Sequence, residues 1–293
     1  MTISKLVVIG VGLIGGSAAL ALRRNTHVRE VIGVGRTCGN LEHALGQGIV
    51  DRAYTLHERW QDELGDADLV LVATPVAQCA ALFEVMRARL GPRSVVTDAG
   101  STKQDVVKAA SELGDALSRF VPAHPIAGTE QSGSAAAFAE LFEERTVILT
   151  PLPETDQAAI ACVRNFWEAC GAVVVTLDAH AHDRIFAAVS HLPHLLAATY
   201  IAALAEHAEC EKMMALAGTG FRDFTRIAAA SPEMWRDILL ANRNALHSEI
   251  TAFRASLDRV EAALRSGDAE AVRQFLACAA EVRRNFDRSR ETP

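Results

Sequence analysis

The sequence lacks any excess of positive charge: 29 Lys and Arg stand against 36 Asp and Glu, a formal net charge of -7. Neutralising a phosphate backbone takes a basic surface, so the balance disfavours nucleic acid as the main partner. A small acidic substrate is not excluded, because one or two local arginines can bind it. Paired cysteines are lacking too. Cys38, Cys79, Cys162, Cys170, Cys210 and Cys278 form no CxxC, and the chain of 293 residues is far longer than a disulfide-stapled mini-domain. They read as separate thiols in a reducing compartment. The N-terminal MTISKLVVIG has too short an apolar run for a secretory signal, with no small-residue cleavage site after it. The most apolar helical stretches are broken by His, Pro or charged residues, which argues against a transmembrane span. The expectation is a cytoplasmic protein with no membrane partner.

Half of the residues are hydrophobic, enough for a sizeable core, and the length suggests two domains. A continuous apolar run at 6–9 reads as a strand buried on both faces of a parallel sheet, 69–73 reads as another buried strand, and 31–34 and 94–97 read as further strands. Helical patterns lie between and after them, at 13–24, 40–45, 76–90 and 103–113. A short extended piece at 119–121 follows, then late strands at 146–149 and 172–177 around a helix at 156–170. This alternation predicts an α/β Rossmann domain, a doubly wound and mostly parallel sheet, over residues 1–178.

After Asp178 the strands stop. Asp178 is placed to cap a long helix that Pro193 should kink, and Ser231-Pro232 to open another. Helices at 247–264 and 269–286 complete an all-α domain over 179–293. So thin and apolar a domain would be buried by an intimate homodimer; the alternative is that its helices pack on the Rossmann domain.

Gly10-Val-Gly12-Leu13-Ile14-Gly15 is a GxGxxG between a buried strand and a helix. Gly10 permits the tight turn, Gly12 lets backbone approach a pyrophosphate, and Gly15 lets helix and strand pack closely. The helix N-terminus at Leu13 and Ile14 then offers free N–H groups to the anion. The second strand ends in Gly35-Arg36-Thr37, without the acid that usually accepts the 2′-hydroxyl of NAD. Arg36 would pair with a 2′-phosphate, which points to NADP or to dual use; stacked on adenine or solvated, it would be neutral between NADP and NAD.

Ligands of such sheets bind outside the carboxyl ends of the strands. Three loops fall there: Ala73-Thr74-Pro75, where small residues admit the cofactor, Asp98 to Lys103, and His124 to Glu130. His124 is the best acid–base group, since oxidising an alcohol requires a base that works near neutrality. Ser101 would hold a substrate hydroxyl or orient His124, and capping the following helix is compatible with either role. Lys103, a cation in the first turn of a helix, opposes the helix dipole. His191 and His194 lie i, i+3, but without a third ligand they argue for substrate or helix contacts rather than a metal. Arg222 and Arg226 lie i, i+4, paired with Asp223 or aimed at a carboxylate.

Gly10-Val-Gly-Leu-Ile-Gly-Gly-Ser17, Asp98-Ala-Gly-Ser-Thr-Lys103, His124-Pro-Ile-Ala-Gly-Thr-Glu-Gln-Ser-Gly133, His191-Leu-Pro-His194 and Gly220-Phe-Arg-Asp-Phe-Thr-Arg226 occur in that order. Together they resemble the prephenate/arogenate (cyclohexadienyl) dehydrogenases of tyrosine biosynthesis over nearly the whole chain. The resemblance implies that the ring C4 hydroxyl of prephenate or arogenate is oxidised by hydride transfer to nicotinamide while the ring carboxylate leaves as CO2. It implies that His124 promotes deprotonation of that hydroxyl and Ser101 positions it. Arg226 would bind the side-chain carboxylate, with His191, His194, Thr129 and Glu130 lining the pocket. The helical domain would be the dimerisation domain. Two features depart from the pattern: many members end the second strand with an acid, and this chain ends too soon after its last helix to hold a fused mutase or regulatory domain.

Two other readings compete. A β-hydroxyacid dehydrogenase would carry a catalytic lysine on the helix after Asp178, whose first following lysine is Lys212. A non-catalytic nucleotide-sensing dimer would not need His124, Ser101 and Arg226.

Overall fold

The structure, a computed structural model, describes residues 3–129 and 131–291, with 287–291 by backbone alone. Chain contacts divide it into two compact units, Met1–Arg243 and Asn244–Pro293. In the first, β1 (Ile3–Ile9), β2 (Val28–Gly35), β3 (Arg52–Thr55), β4 (Leu69–Val72), β5 (Val95–Asp98) and β6 (Phe120–Val121) form a parallel sheet of order 3-2-1-4-5-6. That is the strand order of a dinucleotide-binding fold. Successive β1 side chains point to opposite faces. Leu6 and Val8 therefore join the core containing Phe142 and Trp167, while Val7 and Ile9 join the one containing Trp60 and Phe83. The accompanying helices are α1 (Leu13–Arg24), α2 (Cys38–Gly46), α3 (Cys79–Arg87), α4 (Gln104–Ala109) and α5 (Gln157–Ala169).

Three features differ from the sequence expectation. β3 was not expected, because Arg-Ala-Tyr-Thr is a half-exposed edge strand with no apolar run. The helix expected at 103–113 is α4 followed by a 3-10 segment, Ala110–Arg119. The late strands do not extend the main sheet: β7 (Ala123–Pro125), β8 (Thr146–Leu149) and β9 (Val173–Thr176) make a second one, with β7 antiparallel to β8. Pro122 divides β6 from β7, since it has no N–H to continue a ladder. Its carbonyl instead accepts from Thr150 N at 2.9 Å, next to the β7–β8 pairing.

Beyond β9 the chain is helical, through α6 (Ala179–Phe186), α7 (Leu192–Ala205), α8 (Cys210–Ala215), α9 (Thr219–Thr225), α10 (Pro232–Ala241), α11 (Arg243–Ser266) and α12 (Ala269–Glu291). Asp178 Oδ1 accepts from Ala181 N at 2.8 Å, and Ser231 Oγ from Met234 N at 3.3 Å, as expected of caps. Pro193 does not break its helix. A π-helical turn, Ala187–His191, joins α6 to α7, and the wider turn accommodates a residue with no N–H. The helical run Ala179–Ala205 is therefore uninterrupted, with a mean hydropathy of 1.4, long and apolar enough by length and composition to cross a membrane. Its buried His182, Asp183 and His191 bond within the first unit instead.

Candidate active site

The carboxyl ends of β1, β4 and β5 lie side by side, with Ile9 opposite Val72 and Val72 opposite Asp98. Three loops therefore leave the sheet together. Gly10 has φ +102°, and a Cβ there would lie 2.5 Å from the Ala73 carbonyl, so the glycine turn rests directly on the Ala73-Thr74-Pro75 loop. A Cβ at Gly15 would lie 2.4 Å from Gly10 O. At Gly12 it would meet nothing within 4 Å, so this backbone faces open space. The first α1 ladder bond runs from Gly16 N to Gly12 O, and no side chain caps the helix. The amides of Leu13, Ile14 and Gly15 are thus left to an external anion. Thr74 Oγ1 is buried with no hydrogen-bond partner among the described residues. An open glycine cradle, an uncapped helix start and an orphaned hydroxyl fit a dinucleotide.

The loop after β5 is tied to β7 by a buried ion pair. Lys103 and Asp98 are fully buried, with Nζ 2.5 Å from Oδ2. Lys103 Nζ also donates to Ala123 O at 2.7 Å, and Asp98 Oδ1 accepts from Ala123 N at 3.0 Å. Both backbone groups of the residue before His124 are thereby fixed. His124 lies in strand β7, not in a loop as the sequence suggested, and is 9% exposed. Its Nδ1 lies 2.8 Å from His182 Nε2, and His182 Nδ1 lies 2.8 Å from Asp183 Oδ1. Phe186 stacks on His182 and tilts against His124.

Asp183 takes the capping role that was open to Ser101. Its carboxylate accepts from the amides of Lys103 at 2.8 Å and Gln104 at 2.9 Å, capping α4 from α6. Ser101 does not cap the helix and sits half-buried between Gly100 and Thr102. On the far side, Asn242 Nδ2 donates to Asp183 O at 2.7 Å and lies 3.0 Å from His191 Nδ1. The amide donates, so His191 keeps its own proton on Nε2.

Burial dominates the electrostatics. It pushes His124 well below the usual histidine range, and the neighbouring His182, Lys103 and His191 push the same way. Burial also lowers His182, against the Asp183 hydrogen bond. His191 falls to about 4 by burial, eased by Asp183. For Asp183, burial acts to raise the carboxyl, but hydrogen bonds from His182, Gln104 and Lys103 outweigh it and hold the group ionised below its ordinary value. Near neutral pH the cluster is neutral imidazoles resting on one carboxylate.

The other expected residues are more dispersed. His194 Nδ1 donates to Ser190 O at 3.1 Å, and the ring stacks on Trp235 with centroids 3.5 Å apart. Trp235, whose indole N–H is buried without a partner among the described residues, went unnoticed in the sequence. Thr129 is exposed and lines a surface cavity of about 920 Å³ with Phe138, Glu140 and Arg145. Glu130 lies outside the described residues. Gly35 packs against Leu41 at the end of β2, with Arg36 and Thr37 exposed beyond it. Arg222 and Asp223 are exposed on α9, and Arg226 is exposed just past its end. No cluster of three or more His, Cys, Asp or Glu among the described residues has a metal-binding arrangement.

The chain is similar to known proteins over most of its length. Residues 18–176 match the family model for the prephenate dehydrogenase nucleotide-binding domain, and residues 178–278 that for the prephenate dehydrogenase dimerization domain. The chain is 34% identical to prephenate dehydrogenase of Bacillus subtilis over 94% of its own length and 74% of the relative's. It is 35% identical to cyclohexadienyl dehydrogenase of Zymomonas mobilis over 92% of each. Among solved structures, prephenate dehydrogenase from A. aeolicus in complex with hydroxyphenyl propionate and NAD+ superposes with a TM-score of 0.90 at 33% identity, covering 98% of this chain and 99% of that one.

Proposed function

The chain belongs to the prephenate dehydrogenase family, and from that premise we propose that it oxidatively decarboxylates prephenate, arogenate or both, with His124 as the base. The observation that carries this reading is a buried histidine whose neighbour Ala123 is bonded to Asp98, at the carboxyl end of β5, and to Lys103. A nicotinamide dinucleotide, held by Gly10, Gly12, Leu13, Ile14, Gly15, Thr74 and Pro75, supplies the electron acceptor for hydride leaving C4 of the substrate ring. His124 takes the C4 hydroxyl proton as that hydride departs. The bond from ring to carboxylate then breaks, CO2 leaves, and its electrons aromatise the ring. The oxygen at C4 becomes a phenolate and recovers its proton from His124, so the base is regenerated. Ser101 orients the hydroxyl, and His191, His194 and Thr129 line the pocket.

Purified protein supplied with prephenate or arogenate, each with NAD or NADP, tests this by reduced-nicotinamide absorbance. Turnover with at least one pair is expected. Silence in all four, with dinucleotide binding intact, would transfer the chain to the sensor or hydroxyacid readings. The exposed Arg36, with no acid at the end of β2, favours NADP or dual use. A preference for NAD above about tenfold in kcat/KM would reject that.

Arg226 binds the side-chain carboxylate. Arg226→Ala is expected to raise KM for the substrate roughly 10- to 100-fold with kcat little changed, the cost of one charge-assisted hydrogen-bonded contact. An unchanged KM would remove Arg226 from the site. The helical domain joins two chains. This is supported by the dimerization-domain match and by exposed Leu216, Phe224 and Leu240 in the first unit and Leu257, Leu264 and Val282 in the second. Light scattering is expected to give twice the chain mass of 31.4 kDa; a monomer at micromolar concentration would contradict it.

A further inference from the structure

We infer that His182 and Asp183 form a relay behind His124 that fixes its tautomer and carries its charge, so that both are positioning residues of the reaction. The inference rests on the reading of His124 as the base. It begins with proton accounting. Asp183 is acceptor-only, already holding the amides of Lys103 and Gln104, so the 2.8 Å contact from His182 Nδ1 must be a donated N–H. A neutral His182 then has its lone pair on Nε2. That lone pair faces His124 Nδ1 at 2.8 Å, so His124 donates there and carries its own proton on Nδ1. The lone pair of His124 is thereby left on Nε2, the nitrogen not engaged in the chain. An isolated imidazole slightly favours the opposite tautomer, which would put an N–H where the substrate hydroxyl must be received. The logic is that of a serine-hydrolase triad, in which a carboxylate orients the general base, lengthened by one imidazole.

The same chain answers where the charge goes. When His124 Nε2 accepts the hydroxyl proton, its Nδ1–H bond to His182 strengthens, or that proton passes to His182 Nε2. The positive charge then moves toward the ionised Asp183 rather than remaining alone in a buried site. No other described group does this. The titratable groups around His124 are Asp98 and Lys103 from β5 and its loop, His182 and Asp183 from α6, and His191 from the π turn. Asp98 is consumed by Lys103, Gly100 N and Ala123 N, and His191 is held by Asn242.

Nitrogen-15 NMR of histidine-labelled full-length protein, with His124 assigned by comparison with His124→Asn, reads the tautomer directly. The expected result is Nδ1–H for His124 at neutral pH. Finding Nε2–H would overturn the proposal without any relay variant. His182→Phe keeps a ring beside Phe186 but no acceptor. It is expected to return His124 to Nε2–H and lower kcat at least about 100-fold with KM within about threefold. His182→Gln, whose side-chain oxygen can accept from His124 Nδ1–H, is expected to recover at least about tenfold of that loss. A purely packing role predicts the reverse ranking, since Phe fills the space better than Gln. Wild-type turnover that vanishes in His124→Asn but survives in His182→Phe would sink the relay alone. Turnover that survives in His124→Asn would sink the base assignment itself.

Discussion

His124→Asn is expected to lower kcat by at least about 100-fold while dinucleotide affinity stays within about twofold. General base catalysis accounts for roughly 10²–10⁴ of an enzyme's rate, and here one imidazole nitrogen supplies it. Asparagine makes the test specific. Its amide N–H can stand in for the Nδ1–H that reaches His182 at 2.8 Å, so the strand and its neighbours keep their bonds. Only the free nitrogen is lost. The pH profile of the wild-type protein should agree. Burial depresses the His124 pKa, so its neutral, active form persists below pH 6.5 and activity falls only as pH drops further through that lowered value. An acid limb centred above 7 would mean that another group titrates. Stopped-flow absorbance of the variant measures the chemical step, and retention of more than a tenth of wild-type kcat would remove His124 from the base role.

The parallel sheet was legible because its central strands are written as continuous apolar runs, with punctuation at Gly10-Val-Gly12 and Asp178. His124 was legible as chemistry but not as structure. A three-residue strand ending at Pro125 has no period to read, and its partner β8 lies more than twenty residues away in sequence. His182 and Asp183 were not legible at all as functional groups. In sequence they are a polar pair in the first turns of a helix, and only the fold brings them against the β5 loop and β7. Lys103 gave a faint signal, a cation where the helix dipole disfavours one. The reason lies elsewhere: the lysine does not serve the helix but reaches Asp98 and the Ala123 carbonyl. Long-range polar contacts leave no periodicity behind, which is why the site's scaffold was hidden while its glycine turn was plain.

That scaffold carries the largest expected stability effect. Lys103→Met is expected to destabilise the protein by about 3–5 kcal/mol, the usual cost of removing one partner of a buried ion pair. For a chain of this size that is a fall in Tm on the order of 10 °C. The reason is the charge left behind. Asp98 is fully buried, and without the ammonium its carboxylate retains only the amides of Gly100 and Ala123. The double variant Lys103→Met with Asp98→Asn removes the stranded charge and should be more stable than Lys103→Met alone, although it still lacks the bond to Ala123 O. A second consequence distinguishes this from simple loss of packing. Lys103 is one of the charges that hold the His124 pKa down, so its removal should shift the acid limb of activity to higher pH. Urea unfolding followed by circular dichroism gives the first quantity and the kcat/KM profile the second. A Lys103→Met protein within about 1 kcal/mol of wild type would show that water or rearrangement satisfies Asp98, and that β7 does not depend on this pair to hold His124 in place.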